Sequence, residues 1–304
     1  MKQKSMTALV SAFSRAYHTR QNETKIFEDC IAGKLLTQDE YRQISQNMAS
    51  GIGFFNPSFA DSPEEALRWV VDHQLSPSPL GRAAFAEKAL ETAVSIGARQ
   101  YLILGAGYDT FGYRQPDWAK GIQIFEIDHP ATAQDKKKRL AAAGIGIPQN
   151  VHAIAVDFSQ EQWQSALVQH PAFQREQVSF CSLLGLVYYL SKTAFVSMLG
   201  AFNEILPKGS SIAFDYPDQH SFCDQAGDRA KKQVMLAEAA NEKMLAGYSV
   251  QELEQLLSAH GFLIYEHRSP REMTQQYFAA YNQANPEHPI EALDNVNYCL
   301  AVRR

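Results

Sequence analysis

Residues 102–114 read LILGAGYDTFGYR. A short apolar run ends in Gly105-Ala106-Gly107, with Asp109 just beyond. A glycine turn directly after a strand lets the backbone approach another group closely. A dinucleotide fingerprint needs a third glycine, and that place holds Thr110. A phosphate loop needs G-x-x-x-x-G-K-[ST], and no such string exists. Asp109 would also repel a diphosphate. The turn argues against a nucleotide-linked oxidoreductase and suits a ligand that carries positive charge and no phosphate.

Outward from this turn, strand-like and helix-like stretches alternate. Strands are predicted at 100–104, 122–127, 151–156, 178–184, 211–215, 262–266 and 297–302. Helices are predicted at 5–17, 22–50, from Ser62-Pro63 onward, 80–97, 130–142, 160–168, 191–206, 221–246 and 249–260. The alternation predicts an α/β fold: a Rossmann-like, doubly wound seven-stranded sheet with helices on both faces. A long polar segment separates the last two strands, as an edge hairpin with an inserted loop would require. Residues 1–79 read as an N-terminal helical cover. Residues 80–304 read as the sheet domain, with a helical insertion at about 217–247.

In such a sheet the ligand sits at the carboxyl ends of the strands, at the switch point. The second strand ends in FEIDHP, which brings Glu126 and Asp128 there, and an acid about 20 residues past the glycines suits ribose hydroxyls. The third strand ends in VDF, where Asp157 can take an adenine amino group while Phe158 packs on the ring. Glycines, a diol acceptor and an adenine site thus follow one another on three strand ends. S-adenosylmethionine, with a sulfonium and no phosphate, fits that order. Taken singly, each feature has a plainer reading: the glycines as a tight turn, Glu126 and Asp128 as a cap for the helix at Pro130, and Phe158 as core.

A formal charge of −5 leaves no basic footprint for nucleic acid. The densest basic run, Lys136 to Arg139, reads as a solvated helix face. Cys30, Cys181, Cys223 and Cys299 show no metal or disulfide spacing, which fits reduced thiols in a cytoplasm. The opening stretch lacks the pattern of a signal peptide, and no apolar run is long enough for a transmembrane helix, so no membrane partner is expected. No metal site is expected either.

The motifs LGAGYDTFGYR, FEIDHP and VDF, together with SPLGRAAFAEKAL and the opening TALVSAFSRAY, resemble the leucine carboxyl methyltransferase family, especially its bacterial S-adenosylmethionine-dependent members. The similarity runs from about residue 7 to 215. It implies that Arg82 pairs with the cofactor carboxylate, that Gly105, Ala106, Gly107 and Asp109 form the cofactor turn, that Asp128 binds the ribose, and that Asp157 and Phe158 bind adenine. One departure is Leu184, which stands where the family has an acid for the cofactor ammonium. This leaves Asp109 or a backbone carbonyl for that role, with a catalytically degenerate cofactor-binding protein as the alternative reading. The expected activity is O-methylation of a small-molecule carboxylate or hydroxyl. A carboxylate is already ionised and needs no base, whereas a hydroxyl needs one. Tyr17, Tyr188, Tyr189, Asp215, Tyr216 and His220 are the candidate pocket residues. Arg15, Arg20 and Lys25 are the candidate cations for an acidic substrate.

Overall fold

The computed structural model describes residues 5–158 and 163–304. In chain order the elements are α1 (Met6–Gln21), α2 (Gln38–Ser50), α3 (Ile52–Phe55), α4 (Pro63–Val70), α5 (Pro77–Ser95), β1 (Gln100–Leu104), β2 (Gln123–Asp128), α6 (Pro130–Ala142), β3 (Val151–Ala155), α7 (Trp163–Val168), β4 (Ser179–Leu183), α8 (Lys192–Ile205), β5 (Ser211–Pro217), α9 (Asp228–Ala239), α10 (Val250–Ala259), β6 (Phe262–Arg268), α11 (Pro270–Tyr277), α12 (Ala279–Ala284) and β7 (Val296–Arg303). The strands form one seven-stranded sheet in the order β3-β2-β1-β4-β5-β7-β6. Strands β1 to β5 pair in parallel, and β7 runs antiparallel to both of its neighbours.

Alternation along β1 explains the layering. Leu102 and Leu104 point to one face and pack with Phe195, Met198 and Leu253 from α8 and α10. Tyr101 and Ile103 point to the other and pack with Phe85 and Ala89 of α5 and with Met273 and Phe278. Both faces are therefore dry, which a parallel sheet requires. A third cluster joins the cover to the sheet domain: Leu9, Phe13, Ile44, Val70 and Val71 pack with Tyr108 and Leu140. The expected boundary at residue 79 falls inside α5.

Four predicted stretches differ in extent. Of 22–50, only 38–50 forms α2, preceded by a short 3-10 turn at Ala32–Lys34. Hydrogen bonds to side chains hold the rest: Ile26 N donates to His18 Nε2, and Ile31 N and Ala32 N donate to Asp29 Oδ1 in a local turn. Of 221–246, only 228–239 is helical, and Asn241 beyond it adopts a positive φ of 58°. The helix expected at 160–168 is seen as α7 from Trp163, and residues 159–162 lie outside those described. Between β6 and β7 the polar segment folds into α11, which opens with a capping box of Ser269 and Glu272, and α12.

The basic run on α6 is not simply a solvated face. Thr132, Lys136 and Leu140 stand four residues apart and share its buried face. Lys136 pairs with buried Glu126 at 2.9 Å, and Arg139 pairs with Glu40 and Asp135. Only Lys137 and Lys138 face solvent.

Candidate functional site

The order of the sheet reverses between β1 and β4, and the glycine turn lies at that switch point. Gly105 and Gly107 have φ of +65° and +49°, a region that favours glycine. A Cβ on Gly105 would stand 3.1 Å from the Leu186 side chain. Asp128, at the end of β2, accepts a hydrogen bond from Gly107 N and another from His129 N at 2.6 Å. Its carboxylate thus closes the turn. Burial pushes its pKa up, while these two N–H groups pull it back.

The polar residues after the turn work as scaffold. Asp109 Oδ1 accepts from Phe111 N at 2.8 Å. Thr110 Oγ1 donates to Asp29 at 2.8 Å, and Tyr113 donates to Glu126 at 2.8 Å. Arg114 donates to Thr110 at 3.0 Å and to Glu87 at 3.0 Å, and its guanidinium lies over the Phe27 ring. Asp29 also receives Arg15 at 2.9 Å. Burial alone would raise the Asp29 pKa, but Arg15, Arg114 and Thr110 together hold it below the usual carboxylate range.

Arg82 comes from α5 and reaches across to β5. Its Nη2 donates to Ser11 Oγ at 3.1 Å, and its Nη1 lies 3.7 Å from Asp215. Asp215 is fully buried and accepts from Gly185 N at 2.6 Å and from Tyr188 OH at 3.0 Å. Gly185 has φ +66°, and a Cβ there would stand 2.7 Å from Arg82 Cζ. Arg15 donates to the same Ser11 hydroxyl at 2.9 Å and to the Tyr108 carbonyl at 2.7 Å. Two guanidinium groups from different elements therefore converge on Ser11.

These groups open onto one cavity of about 800 Å³. That is within the range of about 300–1,000 Å³ found for small-molecule and cofactor sites. Of the expected residues, Arg82, Gly105, Ala106, Gly107, Asp109, Asp128, Tyr188 and Tyr189 line it, together with Leu184. Asp157 and Phe158 are half-buried and are not among its lining; the Phe158 ring packs edge-on against Trp163, 5.8 Å away. Tyr17 is buried in the cover, Tyr216 is buried and bonded to His267 at 2.8 Å, and His220 is exposed; none of the three lines the cavity. Arg15 does line it, whereas Arg20 lies over the Tyr41 ring and Lys25 pairs with Glu28. Asp215, a candidate pocket residue, is not among the lining but lies behind it, paired with Arg82 and Gly185 N, whereas Ser11, Gly185 and Glu242 were not singled out from the sequence. Gly185 carried the one available signal, a glycine following a strand.

Fold and site together define an S-adenosylmethionine-dependent methyltransferase of the Rossmann-like class. The chain belongs to the leucine carboxyl methyltransferase family, which matches over residues 8–203. A Bacillus subtilis relative named "Putative S-adenosyl-L-methionine-dependent methyltransferase YktD" is 39% identical over 305 residues, covering 99% of this chain and 98% of the relative. Two crystal structures share the fold. A protein of Streptomyces avermitilis described as of the duf574 family has a TM-score of 0.59 at 14% identity, covering 97% of each chain. A Thermobifida fusca protein named a "putative methyltransferase" has a TM-score of 0.55 at 14% identity, covering 99% of this chain and 96% of that one.

The residues present fit the cofactor. Gly105 and Gly107 leave backbone without side-chain bulk on the cavity wall, and Asp128 retains acceptor capacity beside them. Arg82 presents a guanidinium to the same space. With Leu184 apolar, the carboxylates of Asp109 and Asp128 are the acidic groups beside the turn.

Proposed function

We propose that the protein transfers a methyl group to a carboxylate oxygen of a small molecule, with a hydroxyl as the less favoured acceptor. When bound, S-adenosylmethionine supplies an activated methyl on a sulfonium. Arg82 would hold its carboxylate, Asp128 its ribose hydroxyls, and the Gly105–Gly107 backbone would lie against it.

The observation that carries the choice of acceptor is the state of the possible bases in the cavity. Tyr188 donates to Asp215, and burial followed by that carboxylate pushes its pKa well up. Burial also raises Tyr189. Glu242 is occupied by Thr7 Oγ1 and by Met6 N. His129 Nδ1 accepts from Ala131 N at 3.3 Å at the start of α6. A hydroxyl acceptor would need one of these to take its proton; a carboxylate acceptor needs none. The chain's own part is then alignment and exclusion of water.

The test is transfer of labelled methyl from S-adenosylmethionine to panels of small carboxylic acids and phenols. Label in the acids that mild base releases as methanol is the expected result, because esters hydrolyse and ethers do not. Base-stable label, or label in phenols only, overturns the choice of carboxylate. Cofactor binding with no transfer to either panel would favour the degenerate reading that Leu184 raises.

A further inference from the structure

Between α4 and α5 the chain makes one π-helical turn at Val71–Leu75, closed by Ser76 N donating to Val71 O at 2.8 Å. Such widened turns recur at functional sites. This one brings Gln74 to the cavity wall. Gln74 is 5% exposed, and among the described residues its Oε1 has no hydrogen-bond partner. A buried polar atom left unpaired costs about 1–3 kcal/mol. A long amide carried at that cost, facing a cavity, needs a reason.

The placement supplies one. Gln74, Ser78 and Arg82 follow at intervals of four residues, and all three line the cavity. Ser78 and Arg82 form a polar stripe along one face of α5, and Gln74 precedes it in the π-helical turn. Arg82 lies roughly 8 Å along α5 from Pro77, the end that Gln74 precedes. Arg82 stands at the cofactor end of that stripe, so Gln74 lies beyond it. Much of the remaining lining is apolar, including Val10, Met48, Leu75, Leu236 and Met244.

We propose that Gln74 is a specificity-determining residue for the methyl acceptor, and that the acceptor is a largely apolar small acid bearing a second, neutral polar group, a hydroxyl, which Gln74 binds. This rests on the carboxylate-methylating reading above. A hydroxyl both donates and accepts, so it suits either end of the amide. A site built to bond a hydroxyl strongly rejects an analogue that lacks it, because its own buried group is then left unpaired.

The test measures binding rather than turnover. Protein saturated with S-adenosylhomocysteine is titrated calorimetrically with paired acids, phenylacetic against 4-hydroxyphenylacetic and octanoic against 8-hydroxyoctanoic. At least one hydroxylated member should bind tenfold or more tightly than its plain partner. Gln74→Leu should bring that ratio to about one while S-adenosylhomocysteine affinity stays unchanged. Gln74→Met, closer in shape, serves if the Leu variant fails to fold. Equal binding within every pair, a ratio that survives both substitutions, or no binding by any acid overturns the proposal. Discrimination in binding without label transfer to any acid would leave Gln74's role standing and overturn the methylation reading instead.

Discussion

At the scale of single residues, Arg82 and Asp72 show how burial sets function and stability separately. The resemblance assigned Arg82 to the cofactor carboxylate. The structure gives it a buried acidic neighbour, Asp215, and a place in the cavity wall. Arg82→Ala should lower S-adenosylhomocysteine affinity by about 1.5–3 kcal/mol, the worth of charge-assisted hydrogen bonds. Arg82→Lys should fall between, since it lacks the planar fork. Stability should drop by only about 1 kcal/mol, because Gly185 N and Tyr188 OH still satisfy Asp215. Calorimetry and melting on both variants check this, and unchanged affinity would remove Arg82 from the site. Asp72 is 3% exposed, and burial pushes its carboxyl up to about 7 despite Arg68 at 3.6 Å. Its folded pKa lies above the unfolded one, so the folded state holds the extra proton between about pH 4 and 7. Stability therefore falls as pH rises through that window. Asp72→Asn should gain on the parent across it, by at most about 1.4 kcal/mol per pH unit, and level off above it. Melts of both proteins from pH 4.5 to 8 test this. The comparison with the variant is needed because His18, held down to about 4 by burial, slopes the other way in the parent.

At the scale of elements, the turns at the strand ends carry the site, and they were unequally legible. The turn after β1 could be read from its two glycines and the acid that follows. The turn after β4 could not, because its polar partner, Asp215, sits on a different strand 30 residues on. Gly185→Ala tests the turn: the added Cβ meets Arg82 and the backbone must hold φ +66°. The variant should lose about 1–3 kcal/mol of stability from backbone strain and should bind S-adenosylhomocysteine more weakly. A variant with parental affinity would show that Arg82 can be displaced without harm. The helices were legible where an apolar period or a cap marked them, as in α5, α8 and α10. Residues 22–37 were not, because their hydrogen bonds go to side chains such as His18 and Asp29 rather than to a helical ladder. The burial of Lys136 was visible only as a lysine on the stripe Thr132-Lys136-Leu140.

At the scale of the whole molecule, the doubly wound seven-stranded sheet follows from alternation and turn chemistry, whereas the joint between cover and sheet domain does not. That joint centres on Asp29, which gathers Arg15 from α1 with Thr110 and Arg114 from beyond the glycine turn. No local pattern links positions so far apart in sequence. Asp29→Ala would strand the buried Arg15 while Arg114 keeps Glu87, at an expected cost of about 3–5 kcal/mol. Because the cover also supplies Ser11 to Arg82, cofactor affinity should fall with it. A single cooperative melt at lower temperature is expected, and early cleavage of the cover by protease while the sheet domain stays intact would show that the two are not coupled. Strand β7 has a different consequence, in the order of synthesis. It lies between β5 and β6, yet it begins at Val296, about 79 positions after β5 ends at Pro217. At about 5–20 residues per second, a ribosome needs about 4–16 s to cross that interval. Through those seconds the cofactor-side strands are already complete, and β5 waits with one edge open to any passing strand.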